Sequence, residues 1–384
     1  MSSPPPSQSP EQASGPQVLP AAAVPTQTGW LKRHRLKLAA SLMMGGVFVW
    51  ILHAGALPLW PAPEAFARVR WWTVGAYVAM WCGVHAIRGA RWSLLLAPVH
   101  RVPLRRVVTV AWMGFLATAV LPFRAGEVVR PVLIRKKGHL TGWAASGTVG
   151  AERVCDGLFL SALLFLSLEI AKPLDPLPKH IGNLPVPAAV VPGAAYSALV
   201  LFAAAFVVMG LFYWRRSWAR RMSERVVGLV SKPLAHWLAD RVEQIADGLK
   251  FLTRPRYTVP FVATTAVYWL LNAASAWLLA WGCGFDSITF AQACVSVGVL
   301  ALGILLPNAP GFFGAFQISI YAGFAMYFAP AEVVGPGSVF VLLAYIAQLG
   351  IAAVFGVGSM LAERTSLKEF LAAEPVDLEQ AVAE

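Results

Sequence analysis

Apolar residues run along this chain in long blocks, with polar residues gathered into the intervals between them. A membrane-crossing helix needs about 20 predominantly apolar residues, and six blocks qualify as uninterrupted helices: about 38–58, 71–87, 141–169, 188–213, 257–282 and 338–361. Two further apolar regions, 107–133 and 290–329, are each interrupted in the middle by prolines and glycines. These two regions decide the topology.

If 107–121 crossed the bilayer, Arg130, Arg135, Lys136 and Lys137 would lie opposite Arg101, Arg105 and Arg106. The positive-inside rule disfavours that split, whereas a re-entrant hairpin keeps both blocks in the cytoplasm. Treating 290–329 as a second hairpin, entered from outside, leaves both termini cytoplasmic. Most of the 31 Lys and Arg residues then face the cytoplasm, with Arg68, Arg70, Lys172 and Lys179 outside and Arg124 and Arg153 at membrane depth. Each half reads span, span, hairpin, span, with opposite sense, and both hairpins turn after a Leu-Pro step, at Leu121-Pro122 and Leu306-Pro307. Inverted repeats with broken helices at the midplane are a recurrent transporter plan. The expected fold is therefore an all-α polytopic membrane protein with about six full spans plus two re-entrant helical hairpins in an inverted repeat. Eight simple spans are the alternative.

Composition agrees with this class. The chain is 58% hydrophobic and 13% charged, with mean hydropathy +0.63, too little charge to cover a soluble fold of 384 residues. Its formal charge of +12 sits in short blocks beside apolar runs. That pattern suits loops facing anionic headgroups better than a groove for a nucleic-acid duplex, and no nucleic-acid partner is expected. Cys82, Cys155, Cys283 and Cys294 lack CxxC pairing and read as buried thiols.

The expected organisation is a disordered Pro/Ser-rich tail at 1–28, a first membrane repeat at 29–170, an external Pro-rich loop at 171–187 and a second repeat at 188–361. The second repeat includes an amphipathic cytoplasmic segment at 214–256, where arginines alternate with apolar residues. Residues 362–384 form a cytoplasmic tail. The first apolar run is long enough to span and follows a basic block, so no cleaved signal peptide is expected.

Charges within apolar segments carry the functional expectation, because each costs about 2.5–3.5 kcal/mol at membrane depth on insertion scales. Arg124, Glu127 and Arg130 stand between Pro122 and Pro131, with Gly126 among them. The prolines disfavour a continuous helix, and the backbone groups they free must face protein or a wet cavity. Further on, Glu152 and Asp156 share a helix face at i and i+4, with Arg153 beside them. Two readings stand for these groups: a polar cavity, or a salt-bridge network locking the hairpin to this helix. In the second hairpin, Asn308, Pro310, Gly311, Gly314 and Gln317 surround a break whose free amides suit an anion; tight glycine packing of helices is the alternative. At the end of the second span, Arg88, Arg91 and Trp92 read as interface anchors, their basic groups snorkelling and the indole at headgroup level. The chain contains no GxSxG, HExxH, P-loop or dinucleotide fingerprint, so no catalytic residue, cofactor or metal site is expected and the chain is read as not an enzyme.

The motifs Ile87-Arg88 to Arg91-Trp92-Ser93-Leu94-Leu95, then LPFRAGEVVRP, GAERVCDG and LPNAPGFFGAFQ, resemble the flippase-like transmembrane region of the lysylphosphatidylglycerol synthase family over about 35–362. The resemblance implies an inner-membrane protein of a bacterium or archaeon whose relatives move or present modified lipids. Gly126, Glu127, Glu152 and Arg153 match the GE and ER motifs of that family. Two departures matter. The chain ends at 384, leaving no room for the soluble aminoacyl-transferase domain of full-length enzymes, so lipid synthesis is not carried over. Gln317 stands where some relatives have an acid, which weakens a proton-carrying role there.

The leading expectation is thus a lipid translocase whose cavity holds a headgroup, with Arg124 and Arg130 on phosphate and Glu127 and Asp156 on a cationic group or relaying protons. Its partners are membrane lipids. Alternatives are an accessory subunit presenting lipid to a separate lipid-modifying enzyme, or a small-solute secondary transporter. The sequence assigns no oligomeric state.

Overall fold

Where water is absent, backbone amides and carbonyls must bond within their own segment, so apolar runs of this length fold as helices. A computed structural model describes residues 27–121, 126–138, 140–181, 183–185, 190–215, 232–305, 309–366 and 370. Helix α1 spans Gln27–Ala54, α2 Trp71–Leu96, α3 Leu104–Val120, α4 Gly126–Gly138, α5 Gly142–Ile170 and α6 Val190–Trp214. There follow α7 at Lys232–Asp247, α8 at Pro255–Cys283, α9 at Phe290–Gly303, α10 at Ala315–Ala325, α11 at Pro330–Val334 and α12 at Pro336–Ala362. A two-residue antiparallel pairing, His180 with Pro185 and Ile181 with Leu184, interrupts this all-helical order.

Each of the six uninterrupted apolar blocks forms a helix. Among the described residues, Val190–Trp214, Pro255–Cys283 and the α11–α12 stretch Pro330–Ala362 are long and apolar enough to cross a membrane. At 1.5 Å per residue, α2 with 26 residues and α5 with 29 reach about 39 and 44 Å, also sufficient in length. The surface needs a lipid covering: Leu42, Leu201, Val207, Val208, Val354 and Leu361 are all exposed. Water would penalise such a surface, and lipid does not. The chain is a membrane protein.

The two interrupted regions fold as broken helices. Helices α3, α4, α9 and α10 have 17, 13, 14 and 11 residues, and even the longest reaches only about 26 Å against a hydrocarbon core of about 30 Å. Helix α3 packs on α4, and α9 on α10. The first pair meets through Gly126, where a Cβ would collide with the backbone of Ala117 and Thr118. The second break carries left-handed backbone at Gly311 (φ 71°), Phe312 (φ 59°) and Gly314 (φ 83°). Leu306, Pro307, Asn308, Pro122 and Arg124, at the two breaks, lie outside the described residues, as do most of the 1–28 tail, 216–231 and 371–384.

Two apolar clusters hold the bundle. One gathers Trp92, Val110, Met113, Leu133 and Ala145 from α2 to α5. The other gathers Leu279, Val295, Tyr321, Phe324 and Phe340 from α8, α9, α10 and α12. Helix α2 also lies along α8, and α3 along α12, so the clusters are tied together by helices that run between them.

Candidate functional site

The polar centre begins with the i, i+4 pair on α5. Glu152 and Asp156 face the same way, and Arg91 of α2 meets both: its Nη2 lies 3.1 Å from Glu152 Oε1 and 2.5 Å from Asp156 Oδ2. The other amino group of Arg91 donates to Thr265 Oγ1 of α8 at 2.8 Å. Arg130 of α4 reaches the second oxygen of Glu152 at 2.8 Å, and its guanidinium stacks 4.2 Å from the centre of the Trp92 ring. Trp92 in turn donates its Nε1–H to Thr148 Oγ1 at 3.0 Å. Four helices are thereby joined through groups that would each be costly alone in an apolar interior.

This geometry corrects the reading of Arg91 and Trp92 as interface anchors. Helix α2 continues to Leu96, beyond the expected end of the second span, and carries both residues into the bundle. Arg91 is 1% exposed and Trp92 fully buried, so neither can snorkel. Arg88, one turn earlier, also points inward, its guanidinium 4.0 Å from the centre of the Phe115 ring. Among the described residues, no carboxylate lies within salt-bridge distance of it.

Beside this network lies a cavity of about 690 Å³. Its charged lining is Arg88 of α2, Glu127 of α4, and Arg153 and Asp156 of α5, while Leu164, Phe202, Phe316 and Leu349 provide apolar wall. Glu127 and Arg153 face each other with Oε2 and Nε 3.9 Å apart. Arg130 and Glu152 stand behind this wall, paired and buried, and do not line the cavity. The structure thus divides the predicted charges in two: Arg91, Arg130 and Glu152 form a sealed brace, with Asp156 at its edge, whereas Arg88, Glu127 and Arg153 border open space.

The second break contributes less than its sequence suggested. Gly311 borders the cavity, but Pro310, Gly314 and Gln317 do not. The Gly314 N–H, at the start of α10, is already taken by Gln317 Oε1 at 2.7 Å, so that amide is not open to an anion. Gly314 also abuts the Phe48 ring of α1, which a Cβ would overlap. Arg124 and Asn308 are outside the described residues. Sequence reading missed His85 and Trp269, which line the cavity. His85 and Arg88 stand at i and i+3 on α2, so a helical projection of the second span would have placed them together.

Among comparisons with known proteins, no solved structure matches. A curated relative, Glycosyltransferase AglD of Haloferax volcanii, is 26% identical over 311 residues, covering 76% of this chain and 48% of that protein. The chain spans about half the length of the curated relative it matches. The expectation that the chain is not an enzyme is overturned by this relative, which is named as a transferase. The family match below marks a lipid-related membrane protein. The family model described as the lysylphosphatidylglycerol synthase TM region matches residues 36–356, nearly the whole membrane portion, and the chain belongs to that family.

Proposed function

We propose that the protein binds the polar headgroup of a membrane lipid in the cavity between α2, α4 and α5 and moves it between leaflets, with the acyl chains left among the apolar walls. The observation that carries this reading is the lining itself: Arg88, Glu127, Arg153 and Asp156 border a space of about 690 Å³ within an otherwise apolar bundle. A brace that served stability alone would have its charges sealed, as Arg130 and Glu152 are. The headgroup phosphate would sit on Arg88 and Arg153 through charge-assisted hydrogen bonds.

The reading carries a topology: six full spans with α3–α4 and α9–α10 as two re-entrant hairpins of an inverted repeat, both termini in the cytoplasm and the protein in the cell's inner membrane. Singly placed cysteines in the 97–103 and 171–187 segments, labelled from each side of sealed vesicles, test it; labelling of both segments from the same side would overturn it.

For the activity, the full chain is reconstituted into vesicles with a fluorescent phospholipid and challenged with a membrane-impermeant quencher. The inner-leaflet label is expected to become accessible faster than in protein-free vesicles. Arg88→Gln and Glu127→Gln are expected to slow this at least about tenfold, equivalent to about 1.4 kcal/mol. Exchange no faster than in protein-free vesicles, or unaffected by both substitutions, would sink the reading.

A second reading is favoured by the glycosyltransferase relative. Here the cavity holds a lipid while its headgroup undergoes sugar transfer, on this chain or a lipid-modifying partner. Headgroup binding without leaflet exchange, together with transfer of sugar to the bound lipid, would distinguish it.

A further inference from the structure

The cavity's charges and its unmatched hydrogen-bonding atoms narrow the headgroup; the argument rests on the proposed lipid-binding role. Among the described residues, every carboxylate at this centre faces an arginine: Glu152 meets Arg91 and Arg130, Asp156 meets Arg91, and Glu127 faces Arg153. Among the described residues, Arg88 has no carboxylate within salt-bridge distance and lies against the Phe115 ring. Among its described residues the cluster therefore holds four arginines against three carboxylates, and the cation without an acid at salt-bridge distance borders the cavity. A ligand bearing an extra positive group would add to a cluster already one cation in excess, while an anion would complete the set.

Six buried polar atoms of lining residues have no partner among the described residues: Asp156 Oδ1, His85 Nδ1, the Nε–H groups of Arg88 and Arg153, the Trp81 Nε1–H and the Trp269 indole N–H. Asp156 is 6% exposed and His85 4%, so bulk water does not serve them. Asp156 Oδ1 requires a donor and the indole an acceptor. A hydroxyl is both. His85 also stands beside Arg88, since both lie against Phe115, the imidazole 5.8 Å from it by ring centres. Anion-binding and hydroxyl-binding groups thus occur together on one turn of α2.

We infer that the cavity selects lipids whose headgroup is a phosphate ester bearing uncharged hydroxyls, a glycosyl or polyol phosphate, and discriminates against aminoacylated or ammonium-bearing headgroups.

The test uses the full chain in lipid nanodiscs, with binding read by native mass spectrometry and thermal shift. The probes are phosphatidylglycerol, its aminoacylated form, phosphatidylethanolamine, a polyprenyl phosphate, and the same polyprenyl phosphate carrying one hexose. The hydroxyl-bearing phosphates are expected to bind at least about tenfold more tightly than the two amine-bearing lipids, a difference of about 1.4 kcal/mol. Arg88→Gln is expected to remove most of that preference and Arg88→Lys to restore part of it. Trp269→Phe, which removes the donor while keeping an aromatic ring, is expected to narrow the advantage of the hexose-bearing over the bare polyprenyl phosphate. Equal or tighter binding of the aminoacylated lipid overturns the inference while leaving headgroup binding intact, and so does equal binding of the bare and hexose-bearing phosphates. Binding of none of the five overturns the lipid-binding reading and this inference with it.

Discussion

Glu152 of α5 holds Arg130 of α4 at 2.8 Å, with both side chains withdrawn from solvent. The carboxylate's other oxygen accepts from Arg91 at 3.1 Å, so a single acid is shared between cations from two other helices. Removing one member of a buried ion pair costs about 3–5 kcal/mol, because the partner is left charged and unmatched. Glu152→Gln is therefore expected to destabilise the protein by that order, read as a lower midpoint in thermal unfolding by detergent-solubilised size-exclusion chromatography. Arg130→Met combined with Glu152→Gln is expected to recover part of the loss, since the cation orphaned by the first change is gone. A midpoint within about one degree of wild type for Glu152→Gln would mean the brace contributes nothing.

Legibility differed sharply between the two halves of this pair. The acidic face of α5 was readable, because Glu152 and Asp156 are related by one turn of the same helix. Their principal partner was not. Arg91 is 61 residues from Glu152 in sequence, and an Arg-Trp step near the end of an apolar run carries the same local signature as a snorkelling anchor. What decided its place was the continuation of α2 to Leu96, a matter of tertiary support. The broken helices were readable from Pro and Gly, and the salt-bridge alternative for the hairpin described Arg130 and Glu152 better than a phosphate contact did. The capping use of Gln317 depends on the backbone path through Gly314, which the residue types alone do not dictate.

Glycine positions provide a paired test of helix approach. At Gly126 a Cβ would strike the backbone of Ala117 and Thr118, which cannot rotate away. Gly126→Ala is expected to cost about 1–3 kcal/mol as an overpacking change and to loosen α4 from α3. Gly150, on an exposed part of α5, has nothing within 4 Å of its would-be Cβ. There alanine is expected to be neutral or stabilising by up to about 1 kcal/mol through helix propensity. Thermal unfolding of the two variants side by side checks the contrast, and equal midpoints would refute close α3–α4 contact.

The ion pair between Arg70 and Asp286 looks similar on paper, at 2.8 Å, yet should behave differently. Its side chains are 37% and 72% exposed, and such pairs are worth at most about 1 kcal/mol. Arg70 is additionally held by the Trp281 carbonyl at 2.7 Å and by the Trp281 ring. Asp286→Asn is thus expected to shift the unfolding midpoint only slightly, whereas Arg70→Ala loses all three contacts and shifts it more. Reversal of that order would show the acid to be the principal partner.

Gln317 offers the sharpest separation of chemistry from structure. Its Oε1 accepts the Gly314 N–H at 2.7 Å at the start of α10, where the backbone is left-handed and the Phe48 ring closes the space a side chain would need. Gln317→Leu keeps the approximate size but leaves that buried N–H without an acceptor, an expected cost of about 1–3 kcal/mol. Gln317→Glu retains an acceptor, and a carboxylate at a helix N-terminus is favoured by the dipole. It is therefore expected to remain folded and to keep a midpoint close to that of wild type at neutral pH. Because the side chain is turned toward its own backbone and does not border the cavity, neither substitution should change lipid preference in folded protein. A Gln317→Glu variant with wild-type stability but altered headgroup selectivity would show that this position reaches the ligand after all.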